Sequence, residues 1–136
     1  MKCTLFSFIL ITFCVVVNGQ NDFNYYDQLT KHADTLFYQS KYQEAINEYK
    51  TAISLNNNLG KVKHRYNIAC AYSELNKIDS SFQELFYIAE KGHFSSFEKL
   101  DKEKSLEKLH SNDLWNKLVA IVLNNRNLKI ENKSSQ

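Results

Sequence analysis

The chain has 136 residues, the length of one small domain, and carries 17 basic against 15 acidic residues, for a formal net charge of +2. This balance offers no electrostatic basis for binding nucleic acid, and we predict no nucleic-acid partner. The sequence has no proline and three glycines, so it lacks the residues that punctuate β-hairpins and any glycine-rich phosphate loop. Residues that favour helices are common, and we therefore predict an all-α fold.

The amino terminus has the pattern of a secretory signal peptide, which we place at residues 1–19. Lys2 supplies a positive charge, an apolar run of about fifteen residues extends from Cys3 to Val17, and the predicted cleavage site follows Gly19. We therefore expect export to the periplasm or the extracellular space, with no membrane span after cleavage. The run is shorter than the ~20 residues that a spanning helix needs. An uncleaved membrane anchor is the alternative.

The chain that remains after the predicted cleavage cannot form an internal disulfide. Cys3 and Cys14 lie in the predicted signal peptide, which leaves Cys70 alone. A single cysteine cannot form an internal disulfide, so an oxidising compartment would not stabilise the fold by that route. Because Cys70 lies in the apolar run IACAY, we interpret it as a buried structural thiol.

The segment 24–58 has the periodicity of two short helices. Apolar residues recur at three- and four-residue spacing, first at Leu29, Ala33, Leu36 and Phe37 and then at Tyr42, Ala45, Ile46, Tyr49, Ala52 and Ile53. The two stripes are separated at residues 39–41, where Ser40 and Gln43 have the spacing of a capping box that would start the second helix. We therefore predict a helical hairpin with a short turn.

The same pattern returns in the segment 60–92 with an offset of 36 residues. In this register Ala69, Tyr72, Ser81, Phe82 and Leu85 correspond to Ala33, Leu36, Ala45, Ile46 and Tyr49. Asp79 is placed to cap the second helix of this copy. A helical hairpin repeated at such a period predicts a solenoid, in which each hairpin buries its apolar face against its neighbours.

Residues 93–124 are rich in charged residues but contain a further set of apolar residues. Its members are Phe94, Phe97, Leu100, Leu106, Leu109, Trp115, Leu118, Val119 and Val122. Two hairpins would leave the last helix with one face uncovered, and about three units are needed for a stable array. We therefore predict a terminal cap, made of a linker across the preceding helix, a short helix and a final helix. The polar residues 125–136 are predicted to form a disordered tail.

The two hairpins resemble tetratricopeptide repeats (TPR), whose pattern of a large residue, L-G-x-x-Y and A-x-x-x-F is matched in part. The first copy matches at Leu29, Ala33, Leu36, Ala45, Tyr49 and Ala52, and the second at Ile68, Ala69, Tyr72, Ser81 and Leu85. His32 and Arg65 depart from the apolar residues usual at their positions. The resemblance implies a short TPR-like helical-hairpin solenoid, with two hairpins and a C-terminal capping segment, over residues 20–124.

The carboxyl-terminal part also resembles the TPR end-of-group unit that closes arrays in many bacterial proteins. The matching residues are Asn67, Ala69, Cys70, Tyr72, Phe82, Leu85, Gly92, Leu100, Leu106, Leu109, Trp115 and Leu118. Lys104 and Ser105 replace the usual acidic pair before Leu106. This second resemblance implies that residues 93–124 end the array.

The resemblance further implies a binding surface, because the first helices of successive TPR hairpins line a concave groove. In register, the candidate partner-binding residues are Asp34, Phe37, Tyr38, Lys63, Tyr66, Asn67, Ser73 and Glu74. The three aromatic residues are of the type that anchors interfaces, with a core position as the alternative for Phe37 and Tyr66. Lys63 and Asn67 match only part of the clamp with which some TPR domains hold a peptide carboxylate, so we do not predict binding to chaperone tails.

No residue pattern indicates catalysis, a cofactor or a metal. His93, His110, Ser95, Ser96 and Asp113 include the types of a hydrolase triad, but no G-x-S-x-G elbow accompanies them. The four histidines lack the spacing of zinc ligands. We therefore expect a non-enzymatic module of the cell envelope that binds a protein or peptide. An accessory or regulatory subunit of an envelope enzyme complex is one alternative, and a small enzyme is another.

Overall fold

The computed structural model describes the backbone of residues 19–135 and the side chains of residues 25–135. Within this range the chain forms six α-helices, one 3₁₀ helix and no β-strand. In chain order these are α1 (Gly19–Tyr38), α2 (Tyr42–Leu55), α3 (Val62–Glu74), α4 (Ile78–Glu90), α5 (Phe97–Lys102), the 3₁₀ helix (Lys104–Leu109) and α6 (Asp113–Ser134). None of these helices is both long and apolar enough to cross a membrane. The predicted signal peptide lies outside the described residues except for Gly19.

The first four helices form two helical hairpins that stack on each other. α1 packs against α2, α3 packs against α4, and the hairpins meet through α2 and α3. Ala33, Ala45, Ala52 and Ala69 are completely buried, and their small side chains allow the helices to approach closely. The prediction of an all-α, short helical-hairpin solenoid is confirmed.

The two hairpin turns share one backbone geometry. Ser40 and Asn76, which are 36 residues apart, have left-handed conformations with φ of 59° and 58°. In each turn the amide of the next residue donates to a carbonyl five residues earlier, at 2.9 Å from Lys41 and 2.8 Å from Lys77. Both turns are therefore Schellman motifs, in which a left-handed residue ends the first helix. The repeat seen in the sequence thus extends to the backbone of the turns.

The side-chain caps predicted for the second helix of each hairpin are wrong. The residues that precede α2 and α4 are Lys41 and Lys77, and neither helix start has a side-chain cap hydrogen bond. Ser40 does not start α2 because its left-handed backbone already ends α1. Asp79 lies inside the first turn of α4, where its charge complements the helix dipole without capping the end.

The C-terminal segment forms a third layer over the second hairpin. α6 packs on α4, the 3₁₀ helix packs on α3, and α5 lies between the 3₁₀ helix and α6. We expected a linker to lie across the preceding helix. In the structure, the Phe94 ring of this linker contacts Tyr66 of α3, with centroids 5.6 Å apart. The core of this part includes Phe82, Leu85, Ile88, Leu100, Leu106, Leu109, Trp115, Leu118 and Val122. The cap therefore covers α3 as well as α4.

The tail that was expected to be disordered from residue 125 is helical as far as Ser134. Asn125 ties this helix to the body, because its Nδ2 donates to the carbonyl oxygens of Ala89 at 2.8 Å and of Phe94 at 3.0 Å. Residues 113–134 contain no proline or glycine, so no residue type in this stretch ends the helix earlier.

Candidate functional site

Four of the eight predicted groove residues come together between α1 and α3, and we call this surface the α1–α3 groove. Asp34 and Tyr38 come from α1, and Lys63 and Asn67 come from α3. Lys63 Nζ lies 2.7 Å from Asp34 Oδ2, and Asn67 Nδ2 lies 3.2 Å from Asp34 Oδ1. Tyr38 is 80% exposed and lies four residues after Asp34 on α1, so the two side chains are on the same face of that helix. The groove thus combines an ion pair, an amide and an exposed aromatic ring.

Asp34 is the centre of a hydrogen-bond network that joins the first three helices. The Tyr49 hydroxyl of α2 donates to Asp34 Oδ1 and accepts a hydrogen bond from Asn67 Nδ2 at 2.9 Å. Burial alone would raise the pKa of Asp34, but the hydrogen bonds from Lys63 and Tyr49 hold that pKa below its ordinary value. The hydrogen bond to Asp34 in turn raises the pKa of Lys63. The pair is therefore charged at neutral pH.

Tyr49 was assigned from the sequence to an apolar stripe, and its hydroxyl was not counted as part of the site. The side chain is completely buried, and burial together with the hydrogen bond to Asp34 raises its pKa. Helical periodicity indicates that a tyrosine faces the core but does not say where its hydroxyl points. The polar end of the Tyr49 side chain therefore had no signal in the sequence.

His64 adjoins this network and was not among the predicted site residues. Its Nδ1 lies 2.8 Å from the Tyr26 hydroxyl, which also accepts a hydrogen bond from the Lys61 amide at 3.0 Å. The direction of this hydrogen bond follows the imidazole tautomer, because the Tyr26 hydroxyl can donate to Nδ1 or accept from it. Burial lowers the pKa of His64. The imidazole stacks on the Tyr49 ring, with centroids 5.6 Å apart.

Tyr66 and Ser73, which were expected to line an open groove, lie beneath the chain's own C-terminal cap. Tyr66 is 2% exposed, and its hydroxyl donates to the Lys99 carbonyl of α5 at 3.0 Å. Ser73 is completely buried, and its hydroxyl donates to the Ser105 carbonyl of the 3₁₀ helix. The segment 97–109 therefore occupies the part of the groove that these two residues were expected to present.

Phe37 and Glu74, the remaining two predicted residues, are half-buried. The Phe37 ring makes edge contacts with Tyr38, at 6.0 Å between centroids, and with Tyr42, at 5.6 Å. It also packs against the cores of both the first hairpin and the cap. Phe37 thus supports Tyr38 from the core side. The prediction that Cys70 is buried is confirmed, and burial raises the pKa of its thiol.

Among residues 25–135, no three or more His, Cys, Asp and Glu side chains are arranged to hold a metal ion. The hydrolase-type residues are also distributed over different surfaces. The His110 ring packs in a tilted arrangement on the Trp115 ring, with centroids 4.1 Å apart, whereas His93 and Ser95 line a separate depression beside Lys129. These side chains are not assembled into a single constellation.

Comparison with known proteins finds no match for this chain. The sequence matches no family model, and it has no significant match among curated proteins or among solved structures. The description of the fold and the candidate site therefore rests on the helices, their packing and the contacts given above.

Proposed function

We propose that the protein is a TPR-like interaction module, exported to the periplasm or the extracellular space, which binds a protein or peptide at the α1–α3 groove and catalyses no reaction. The observation that carries this proposal is the exposed Tyr38 ring on the same face of α1 as Asp34, which is paired with Lys63 of α3. A large exposed aromatic side chain is typical of the residues that dominate the binding energy of protein interfaces.

The groove is organised before any partner binds. Asp34 accepts hydrogen bonds from Lys63, Tyr49 and Asn67, and the edge contact with Phe37 supports the Tyr38 ring. Binding to such a surface costs little ordering entropy, because the side chains are already held in place. The Lys63 side chain is 58% exposed and has three ammonium protons, so it can bond to Asp34 and still donate to a partner.

The extent of the open surface favours a short, extended peptide as the partner. The segment 97–109 covers the part of α3 that carries Tyr66 and Ser73, and the hydroxyls of both residues are bonded to its carbonyls. A partner would therefore contact α1 and the amino-terminal half of α3. We propose an apolar or aromatic partner side chain at Tyr38, and a carbonyl or carboxylate group at Lys63.

Affinity capture from the envelope fraction of the source organism tests this function. The bait variants are wild type, Tyr38→Ala and Tyr25→Ala, where Tyr25 is a matched control that is 52% exposed on the same helix. A partner retained by wild type and by Tyr25→Ala and lost with Tyr38→Ala supports binding at the groove. Equal capture by all three proteins would place the interface elsewhere. Stoichiometric capture of an enzyme would indicate an accessory subunit.

Export is a separate part of the proposal, and it rests on Lys2, the apolar run that follows it and the small residues before the expected cleavage site. The measurement is the intact mass of the protein expressed with its own amino terminus. A soluble exported species that lacks residues 1–19 supports cleavage. A full-length mass in the membrane fraction would instead support the uncleaved anchor.

A further inference from the structure

A depression lies between the linker 91–96, which follows α4, and the carboxyl-terminal half of α6, and we call it the linker–α6 depression. Its volume of about 560 Å³ is within the range of about 300–1,000 Å³ that is typical of small-molecule sites. Most of its polar lining consists of side chains that can donate hydrogen bonds, and these are His93, Ser95, Lys129, Asn132 and Lys133.

Asn125 fixes one face of α6 over the linker. Its Nδ2 donates to the Ala89 carbonyl at the end of α4 at 2.8 Å and to the Phe94 carbonyl of the linker at 3.0 Å. Lys129 and Lys133 follow Asn125 by four and eight residues, so they project from the same side of the helix. Both lysines therefore lie on the side of α6 that faces the linker, and both line the depression.

The positive charge of the depression is not compensated by the chain itself. Among residues 25–135, Lys129 and Lys133 have no ion-pair partner, and no Asp or Glu side chain lines the depression. Glu98 of α5, which contacts α6, is already paired with Arg126 at 2.9 Å. Like charges four residues apart on a helix repel each other, so an anion bound between the two lysines would relieve that repulsion.

The helix dipole accounts for only part of this arrangement. A lysine in the last turn of a helix interacts favourably with the free carbonyl groups there, and Lys133 is in the last turn of α6. Lys129 lies about one turn earlier, where this effect has declined, and His93 belongs to a different segment. The dipole therefore does not explain why donors from two segments meet at one depression.

His93 is held at the edge of the depression by an unusual backbone conformation. Its φ is 48°, in the left-handed region that residues other than glycine rarely adopt. Gly92, which precedes it, does not have a positive φ. Strained backbone of this kind occurs most often at ligand sites, where the surrounding structure maintains it. The strain at residue 93 thus places an imidazole where glycine would give a relaxed backbone.

We propose that the linker–α6 depression binds the phosphate group of a phosphate monoester. Lys129 and Lys133 together carry two positive charges, and a phosphate monoester carries about −1.5 to −2 at neutral pH. A carboxylate has one negative charge and would leave one of the lysines uncompensated. The charge of the depression therefore selects phosphate over carboxylate.

The remaining lining fits the same ligand. The His93 imidazole, the Ser95 hydroxyl and the Asn132 amide can each donate to a phosphate oxygen. Leu128, which is 50% exposed, offers an apolar contact to the organic part of the ester. The depression shares no residue with the α1–α3 groove, so the failure of either proposal leaves the other unaffected.

Nuclear magnetic resonance titration of the isotope-labelled full chain, as it is processed on expression, tests this site with glycerol phosphate at constant ionic strength. We expect saturable shifts of backbone amides at residues 93–95 and 125–133. Lys129→Gln and Lys133→Gln should each weaken binding about 10-fold, because each removes a charge-assisted hydrogen bond. The matched control is Lys117→Gln, which replaces an exposed lysine of α6 outside the depression and should bind as wild type does.

Two results of this titration would overturn the proposal. One is the absence of saturable shifts at the depression, or shifts that persist unchanged in Lys129→Gln and Lys133→Gln. The other is equal affinity for glycerate, which carries a carboxylate in place of the phosphate and should bind about 10-fold more weakly.

His93→Gly separates ligand binding from stability. Glycine relieves the left-handed backbone, so the Tm of the variant should not fall, whereas its affinity for glycerol phosphate should fall several-fold. An unchanged affinity in this variant would overturn the role assigned to His93.

Vesicle binding distinguishes a soluble phosphate monoester from a lipid headgroup with the same chemistry. The full chain is sedimented with phosphatidylcholine vesicles that contain or lack phosphatidic acid. Binding that requires phosphatidic acid and is lost in Lys129→Gln would assign the lipid headgroup. Saturable binding of glycerol phosphate without vesicle binding would assign a soluble compound. Binding in neither assay would overturn the proposal.

Discussion

The hydroxyl of Tyr49 gives the most specific test of the network that organises the α1–α3 groove. Tyr49→Phe removes one oxygen and leaves the completely buried ring in place. The lost hydroxyl donates to Asp34 and accepts a hydrogen bond from Asn67 at 2.9 Å. The substitution therefore separates the polar contribution of the side chain from its packing.

The expected loss follows from the two hydrogen bonds. A hydrogen bond to a charged group contributes about 1.5–3 kcal/mol, and a neutral one contributes about 1 kcal/mol. Asp34 and Asn67 still bond to each other, and Asp34 still bonds to Lys63, so neither is left without a partner. We therefore expect the free energy of unfolding to fall by about 2 kcal/mol. For a domain of this size the Tm should fall by roughly 8 °C.

Urea unfolding followed by circular dichroism measures this loss, with Tyr42→Phe as a control on the same helix. The Tyr42 ring packs on Phe37, and we expect its substitution to change the stability by less than about 0.5 kcal/mol. The Tyr49 hydrogen bond helps to lower the pKa of Asp34, so that pKa should be higher in folded Tyr49→Phe than in the wild-type protein. During acid titration the variant should therefore lose the stability that ionised Asp34 contributes at a higher pH than wild type does. An unfolding midpoint equal to that of wild type would refute the role assigned to the network.

Three further predictions concern the cap, the turns and the buried histidine. Trp115→Ala should lower the free energy of unfolding, measured in urea, by about 3–5 kcal/mol. Leu123→Ala on the same helix should lower it by less than about 1 kcal/mol. Similar losses in the two variants would contradict the packing assigned to the cap. Ser40→Gly should stabilise the chain by about 1 kcal/mol because it relieves the left-handed backbone, and a destabilised variant would contradict that strain. Burial lowers the pKa of His64, so the unfolded chain binds more protons between the folded pKa and the ordinary 6.5. Stability should fall as the pH drops through that window, and His64→Gln should lose this dependence.

The helices could be predicted from sequence because their signals are local and repeated. Ala33 and Ala69 occupy equivalent positions in two apolar patterns offset by 36 residues, and both are completely buried. The same offset relates the left-handed residues Ser40 and Asn76. Periodicity therefore identified the hairpins and their order of stacking.

The turn chemistry was predicted wrongly because one local pattern fits two structures. Ser40 followed by Gln43 is compatible with a capping box that starts α2 and with a Schellman turn that ends α1. The backbone φ of 59° at Ser40 decides between them, and a serine at that position does not reveal it. A glycine would have indicated the Schellman turn, but serine does not.

The groove was predicted only in part because its closure depends on contacts between distant residues. Tyr66 and Ser73 donate to carbonyl oxygens that are 33 and 32 residues away along the chain. Every residue has a carbonyl group, so no sequence pattern marks these acceptors. The exposure of Tyr38 depends on no such distant contact. This residue follows the last buried position of α1, and its ring is exposed to solvent.

The most direct test of the central claim is nuclear magnetic resonance mapping of a peptide from the captured partner on the isotope-labelled protein. We predict shifts of backbone amides at residues 34–38 and 63–67, with reduced shifts in Tyr38→Ala under the same conditions. The resonances of amides along α4 and α6 should not shift, because neither helix contributes a residue to the α1–α3 groove. Shifts confined to α4 and α6, with none near Tyr38 and Lys63, would contradict binding at the α1–α3 groove.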